Sequence, residues 1–484
     1  MKRRDFLKAV GIGAVSSGLR ICPARAKSPD LPNVVLIMTD NQAPWTLGCY
    51  GNSEILTPNI DKLAREGMLF TRCFSSNAVC SPTRATYLTG LMPSQHGVHC
   101  YLRAKGAQIG PGAYNTIREF QSLPEILAGR GYCCGLSGKW HLGDNLHPQE
   151  GFTYWVTKPH GHTSTFYEAE IIENGRIRRE PSYLTDFWTD HGIRFIEKNK
   201  HRPFFLFLAY NGPYGLGQSL QKQAQNRHAA HYADKDLKSF PREAIHPWLR
   251  QNRQYVGNLT AMRRYAAEVS GVDDGVGKIL ETLDCLGLKQ NTLVIFTADQ
   301  GLCGGHHGMW GMGDHSRPLH TYDETCHVPL IFRHPAQIPG GRRTDIMVSN
   351  YDLMPTLLSY LGFADRIPKK PELPGRDYSA ALQGREVEWE NVIFYEFENS
   401  RMIRTGDWKY TRRFPNGPDE LYDLREDTGE RRNLVGETEY AGIQKKLDER
   451  LDAFFTRYAN PKYDLWRGGG SKTFLLTSPQ EPLR

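Results

Sequence analysis

VVLIMTDNQ, residues 34–42, is a five-residue apolar run that ends in four polar side chains. A run apolar on both faces is the pattern of a strand buried inside a parallel sheet. Four more such runs occupy residues 132–136, 203–209, 293–297 and 328–332. Helix-like periodicity lies between them, over residues 60–66, 122–129, 186–199 and 259–286. Strands alternating with helices predict an α/β domain with helices on both faces of the sheet. After residue 385 the texture changes. NVIFYEF, SRMIRTGDWKYTRRF and ELYDLREDTGERRNL suggest short strands joined by turns, and a helix follows over residues 443–458. This predicts a catalytic α/β domain over residues 27–384 and a smaller α+β subdomain with an antiparallel sheet over residues 385–484. The polar stretch 218–247 reads as an insertion near the rim of an active site.

With 484 residues, 39% hydrophobic and 23% charged, the composition is that of a soluble globular protein. It excludes collagen, coiled-coil and long disordered classes. Residues 1–26, MKRRDFLKAVGIGAVSSGLRICPARA, have a basic start, a short apolar stretch and a small-x-small end. That is the layout of a signal peptide cut before Lys27, and Arg3-Arg4-Asp5-Phe6-Leu7-Lys8 is twin-arginine-like. The expected location is the periplasm or elsewhere outside the cytoplasm, with the twin-arginine export machinery as a partner. The apolar stretch is too short and glycine-rich for a membrane span. Leu19-Arg20-Ile21-Cys22 lacks the small residue of a lipid-anchor site, so no stable membrane insertion is expected. Residues 1–26 hold six basic groups and one acid, so the formal charge of +7 falls to about +2 after cleavage. That value gives no reason to expect nucleic acid. Nine cysteines remain, scattered without zinc-type pairing, and most read as small buried hydrophobes.

In open α/β sheets ligands gather beyond the carboxyl ends of strands. Here those ends are chemically loaded. Residues 34–38 lead into Asp40 and Asn41, residues 293–297 into Asp299 and Gln300, and residues 132–136 into Lys139 and His141. Asp40, Asn41, Asp299 and Gln300 together offer four oxygen donors. Such a set suits a hard divalent cation, calcium in preference to magnesium, and not zinc. The stretch CSPTRATYLTG, residues 80–90, places Pro82 in the first turn of a helix and Gly90 at its end. Cys80 then sits at the helix N-terminus, with Arg84 one turn on. On these grounds Cys80 is either a thiolate nucleophile or a buried thiol. A bare thiolate beside a hard cation is poor chemical logic.

Cys80-Ser81-Pro82-Thr83-Arg84, followed by Ala85-Thr86-Tyr87-Leu88 and Thr89-Gly90, is the complete signature by which the chain resembles the formylglycine-dependent sulfatases of the alkaline phosphatase superfamily. TPNIDKLAREG, GYCCGLSGKWHLG, VPLI and GDWKY…ELYDL extend the resemblance from about residue 32 to 460. It implies a large mixed, mostly parallel sheet flanked by helices. It also implies that a maturation enzyme oxidises Cys80 to Cα-formylglycine, whose hydrated aldehyde both binds the metal and attacks sulfur. The metal ligands would be Asp40, Asn41, Asp299, Gln300 and residue 80, with Asn41 where aspartate is commoner. Arg84 and Lys139 would hold the formylglycine and the sulfate oxygens, and His141 would be the base that releases sulfate. Two family positions depart. Tyr214 stands where many sulfatases carry the histidine that protonates the leaving alcohol, and no lysine precedes VPLI. His315 or Arg317 is expected to bind the sulfate instead, and His306 and His307 to supply the leaving-group acid or line the pocket. The expected substrate is a sulfated carbohydrate. His160, His162, Tyr167, Arg176 and Tyr183 are candidates to line its cleft. A phosphonate monoester or phosphodiester hydrolase, or a non-catalytic sugar-binding relative, would share most of these features.

Overall fold

The computed structural model describes residues 31–103, 105–221 and 226–477. The expected signal peptide, residues 1–26, lies outside the described residues. In chain order the strands are β1 (Asn33–Asp40), β2 (Met68–Phe74), β3 (Cys133–Gly138), β4 (Phe152–Thr157), β5 (Ala169–Glu173), β6 (Arg176–Glu180), β7 (Phe204–Pro213), β8 (Thr292–Ala298), β9 (His327–Arg333), β10 (Arg342–Thr344) and β11 (Val348–Ser349). They form one mixed, mostly parallel sheet in the order β10-β2-β9-β8-β1-β7-β3-β4-β5-β6, with β11 also on β2. Its centre is the parallel block β8-β1-β7-β3. Every residue of β1, β7 and β8 is buried. Alternate side chains feed two cores. Val35, Ile37, Leu206, Leu208, Val294 and Phe296 face one, packed against the helices Leu184–Asn199 and Leu259–Cys285. Val34, Leu36, Met38, Phe205, Phe207, Leu293 and Ile295 face the other, with the helices Cys80–Thr89, Leu123–Gly129 and Leu353–Tyr360. This is why these strands are apolar without alternation.

One expectation is corrected. The run at residues 328–332 is not a parallel strand. It lies in β9, antiparallel to both β8 and β2. Between β8 and β9 the longest helix has four residues, Asp323–Cys326. No crossover helix returns the chain to the far end of the sheet, so it can only turn back. Of the candidates around residue 160–190, Tyr183 is core, with its hydroxyl donating to Glu268 at 2.5 Å. Arg176 is exposed on a hairpin. Of the nine described cysteines seven are buried. Among the described residues no helix is long and apolar enough to cross a membrane.

A separate antiparallel sheet follows, formed in order by β12 (Val392–Phe397), β13 (Ser400–Thr405), β14 (Trp408–Arg413) and β15 (Glu420–Asp423). The helix Ala441–Tyr458 packs on it through Leu447, Leu451 and Phe455. We propose residues 27–384 and 385–484 as the two units. Buried charge joins them. Lys409 on β14 is fully buried, with its ammonium 2.5 Å from the Thr321 carbonyl and 2.9 Å from Asp323 Oδ1, and it also pairs with Glu430. Arg404 on β13 closes on Asp323 at 2.8 Å. Removing one partner from such a network leaves a buried charge uncompensated. Lys409→Met is therefore expected to lower unfolding free energy by about 3–5 kcal/mol. Equilibrium urea unfolding measures it, and a midpoint equal to that of the wild type would show that the network does not hold the two sheets together.

Candidate active site

Adjacency in the central block makes neighbours of chain segments far apart in sequence. Pairing of Thr39 with Ala298 and of Asp40 with Pro213 sets the ends of β8, β1 and β7 side by side. Backbone hydrogen bonds continue past the strands: Asp299 N–H to Thr39 O at 3.0 Å, Gln42 N–H to Gln300 O at 2.9 Å, Tyr214 N–H to Asp40 O at 3.0 Å, and Lys139 N–H to Ala209 O at 2.7 Å. Asn41, His141 and Tyr214 just beyond three of these strands have φ of 61°, 61° and 57°. Left-handed backbone at non-glycine residues is uncommon, and three cases at one end of one sheet mark a site whose geometry the surroundings impose.

The side chains converge on residue 80. Cys80 Sγ is 3.5 Å from Asp40 Oδ1 and 3.2 Å from Gln300 Nε2. Ligand atoms of Asp40, Cys80 and Asp299 all lie within 4.8 Å of one another. Gln300 Nε2 also reaches Asn41 Oδ1 and lies 3.5 Å from Asp40 Oδ1, while its Oε1 is buried with no partner. A half-turn of this amide exchanges the two atoms. It would direct Oε1 at the same point as Asp40, Asn41 and residue 80. Two carboxylates and two amide oxygens then form an all-oxygen set, which fits a hard divalent cation of the calcium class.

Two cations brace the acids. Arg84 donates to Asp299 Oδ2 from Nε at 3.1 Å and from Nη2 at 2.8 Å, and to the Lys139 carbonyl from Nη1 at 2.6 Å. Lys139 Nζ is 2.5 Å from Asp40 Oδ2. Burial opposes both cations, but Asp299 and Asp40 outweigh it and hold Arg84 and Lys139 above their ordinary values. Burial, then the charge of Asp40, pushes Asp299 up to about 6 against the pull of Arg84. Burial, then Asp40, pushes the Cys80 thiol far above the ordinary range. As a plain cysteine, residue 80 is an inert thiol and not a ready thiolate. His141 is held well below its ordinary value by burial, then by Lys139 and His162, so its imidazole is neutral. Its Nε2 faces the Leu102 carbonyl at 3.1 Å, and its Nδ1 is buried with no partner. A carbonyl only accepts, so the proton sits on Nε2 and Nδ1 carries a free lone pair.

The remaining candidates divide. Tyr214 lies over Lys139, with the ammonium 5.6 Å from its ring centre. His315 and Arg317 belong to the loop whose Met312 sulfur is 3.2 Å from Gln300 Nε2. His315 Nδ1 accepts from Met312 N–H at 3.2 Å, and Arg317 Nη1 donates to the Asp314 and Ser316 carbonyls. His306 and His307 are committed elsewhere. His306 is hydrogen-bonded to Cys303 O at 2.7 Å and packs on Trp45, while His307 pairs with Glu324 at 3.0 Å and stacks on Tyr322. From the expected insertion, His246 N–H donates to Gly308 O at 3.0 Å, beside His306 and His307.

Two residues near the cluster escaped the reading of strand ends. Lys158 follows β4 and is buried, pushed down to about 7 by burial and then by Lys139. His162 hydrogen-bonds the Tyr214 hydroxyl at 3.3 Å, and its ring is 6.1 Å from that of His141. Residues 154–157 carried the signal, since a strand there would have put Lys158 at its carboxyl end.

The family described as Sulfatase matches residues 32–363, and that described as N-sulphoglucosamine sulphohydrolase, C-terminal, matches residues 308–457. N-acetylglucosamine-6-O-sulfatase of Bacteroides thetaiotaomicron is 27% identical over 508 residues, which cover 88% of this chain and 87% of that one. A solved structure of a protein in complex with its substrate D-glucosamine-2-N,6-O-disulfate superposes with a TM-score of 0.70 at 24% identity, covering 89% of this chain and 98% of the other. The phosphonate monoester hydrolase of Agrobacterium radiobacter superposes with a TM-score of 0.66 at 23% identity, covering 89% and 96%. Fold alone therefore does not separate sulfate from phosphonate esters.

The structure gives a reason for asparagine at position 41. Asn41 Nδ2 donates to the Tyr214 carbonyl at 2.8 Å. Aspartate there would set a carboxylate oxygen against a carbonyl oxygen. Asn41→Asp is expected to destabilise the metal-free protein by about 1–3 kcal/mol. Thermal unfolding in chelator tests this, and an unchanged midpoint would refute it.

Proposed function

The chain belongs to the sulfatase family of sulfuric ester hydrolases acting on sulfated sugars, and from that premise we propose that it releases sulfate from a 6-O-sulfated amino sugar through a Cα-formylglycine made from Cys80, beside a bound calcium ion. The observation that carries this reading is the convergence of Asp40, Asn41, Asp299 and Gln300 on position 80, with Arg84, Lys139 and His141 around it. Two of the relatives have names that specify a 6-sulfate on a glucosamine ring, and the N-acetylgalactosamine-6-sulfatases among the relatives share the 6-sulfate on an amino sugar, which supports the substrate class. When present, the formylglycine supplies paired hydroxyls, one to attack sulfur and one to lose its proton, and the cation supplies Lewis acidity.

The rest of the chemistry falls to the chain's own residues. Arg84 and Lys139 are permanently charged and buried, so they stabilise negative charge on sulfate oxygens without reorganising. Neutral His141 accepts a proton at Nδ1 while the Leu102 carbonyl fixes its tautomer. Tyr214 stands at the place of the missing family histidine, and His162, hydrogen-bonded to its hydroxyl at 3.3 Å, brings an imidazole beside it that can protonate the departing alcohol. Cys80 is 4% exposed and Asp40, Asp299 and Arg84 are 0% exposed, which keeps water from competing. Export as a twin-arginine substrate fits an enzyme whose sulfated saccharides lie outside the cytoplasm.

The test is expression with and without a formylglycine-generating enzyme. Mass spectrometry of the peptide holding residue 80 is expected to show loss of sulfur only in the matured protein. That protein alone should release sulfate from N-acetylglucosamine-6-sulfate, faster than it cleaves an aryl phosphonate ester. Full activity with the thiol retained, or faster phosphonate cleavage, would overturn the reading. Arg84→Lys removes the forked contact to Asp299 and is expected to lower kcat by about 10²–10³. Steady-state kinetics on the matured variant measures it, and a loss below about tenfold would remove Arg84 from the charge-stabilising role.

A further inference from the structure

We infer that a wall of aromatic rings leading from the catalytic cluster to Phe474 and Arg103 is a second saccharide subsite, which takes the sugar next to the sulfated one and grips an anionic group on it. The inference rests on the reading of the substrate as a sulfated saccharide.

The wall is continuous. Lys139 lies 5.6 Å from the Tyr214 ring, and the Tyr214 hydroxyl is 3.3 Å from His162 Nδ1. The His162 ring meets Tyr101 edge-on at 5.1 Å, Tyr101 meets Phe474 edge-on at 5.0 Å, and the Arg103 guanidinium sits 5.6 Å from the Phe474 ring centre. The path runs from the interior to the surface: Tyr214 is buried, Tyr101 and Phe474 are half-buried, and His162 and Arg103 are exposed. A chain of sugars with its sulfated end at residue 80 would leave along such a path. Aromatic rings offer flat apolar area to a sugar face at little cost in side-chain entropy. Among the described residues Arg103 has no carboxylate partner, so its fork is free for a sulfate or carboxylate group. Arg317 spends Nη1 on two backbone carbonyls. Burial and then Asp314 raise the Tyr101 hydroxyl above its ordinary range, and Arg103 and Arg317 oppose them from the same neighbourhood.

Phe474 is fixed in place. Thr473 Oγ1 accepts from Cys100 N–H at 2.9 Å, and Lys472 N–H donates to Gly97 O at 2.7 Å. On the other side, Leu476 N–H and the Thr477 hydroxyl both donate to Glu398, each at 2.8 Å. This segment lies beyond residue 457, where the second family match ends. It holds the loop that carries Tyr101, Arg103 and the Leu102 carbonyl on His141, so the subsite and the catalytic base share one support.

The test uses the full-length matured enzyme, Phe474→Ala and Arg103→Ala, each on N-acetylglucosamine-6-sulfate and on disaccharides that carry this sugar next to a neutral or a uronic-acid ring. In both variants KM for the charged disaccharide is expected to rise about tenfold while kcat/KM on the monosaccharide changes less than about twofold. Arg103→Ala should also abolish the preference for the charged over the neutral neighbour. Parallel losses on mono- and disaccharide would show a structural role and overturn the subsite, as would unchanged KM on both. Because Arg103 is exposed, its variant reports even if Phe474→Ala misfolds. Should the matured wild type release sulfate from none of these sugars, calorimetric titration of the Cys80→Ala protein with the charged disaccharide still decides. Weaker binding on adding Arg103→Ala would keep the subsite and refute the hydrolase reading; equal binding would refute the subsite.

Discussion

Two ion pairs taken out of water set the terms for the rest of the molecule. Arg84 faces Asp299 at 2.8 Å and Lys139 faces Asp40 at 2.5 Å, with every side chain at most 1% exposed. Desolvating four charges costs several kcal/mol per ion, and only close, well-hydrogen-bonded geometry recovers it. The central strands supply that geometry. Asp40 and Asp299 stand on neighbouring strand ends, Lys139 follows a third strand, and Arg84 comes from a helix packed beneath. Displacing any one would strand the charge of its partner. Burial and then the charge of Asp40 raise Asp299 to about 6, so a divalent cation between the two acids would relieve the like-charge contact.

The smaller sheet is part of this arrangement. Glu396 on β12 donates its backbone N–H to Ser76 O at 2.9 Å, and its carbonyl accepts from Asn77 Nδ2. Its carboxylate accepts from Ser94 N–H at 2.7 Å and from Arg401 on β13. Ser76 and Asn77 lie just before the helix Cys80–Thr89, and Ser94 just after it. The small sheet therefore grips the segment that presents residue 80 from both sides. Arg401 extends the grip to Asp464 at 2.6 Å and so to the C-terminal segment.

Much of this was legible in the chain. The runs around Val34, Leu136, Phe207 and Ile295 announced β1, β3, β7 and β8, because strands buried on both faces must be apolar throughout. The polar residues after three of them announced most of the cluster. Strands β6 and β10 were not legible, since RIRRE and RRT are polar sheet margins with no apolar signal. Lys158 stayed hidden for a related reason, and His162 was read only as a cleft residue. Both follow β4, whose Thr153 is exposed and Tyr154 only half-buried, so its apolar run is broken.

The sequence by itself determined the residue types at the strand ends and the helix that begins at Cys80, because burial, proline and glycine act within a few neighbours along the chain. It determined the chemistry those residues could offer: oxygen donors, two fixed cations and a histidine. Only the tertiary structure decided which of them meet. Strand order placed Asp299 beside Asp40 across 259 positions of chain, turned β9 antiparallel, sent His306 and His307 to other partners, and brought His162 to Tyr214 and Phe474 to Tyr101. Such contacts depend on how sheet edges and loops pack in three dimensions, and no local pattern of residues encodes that distance.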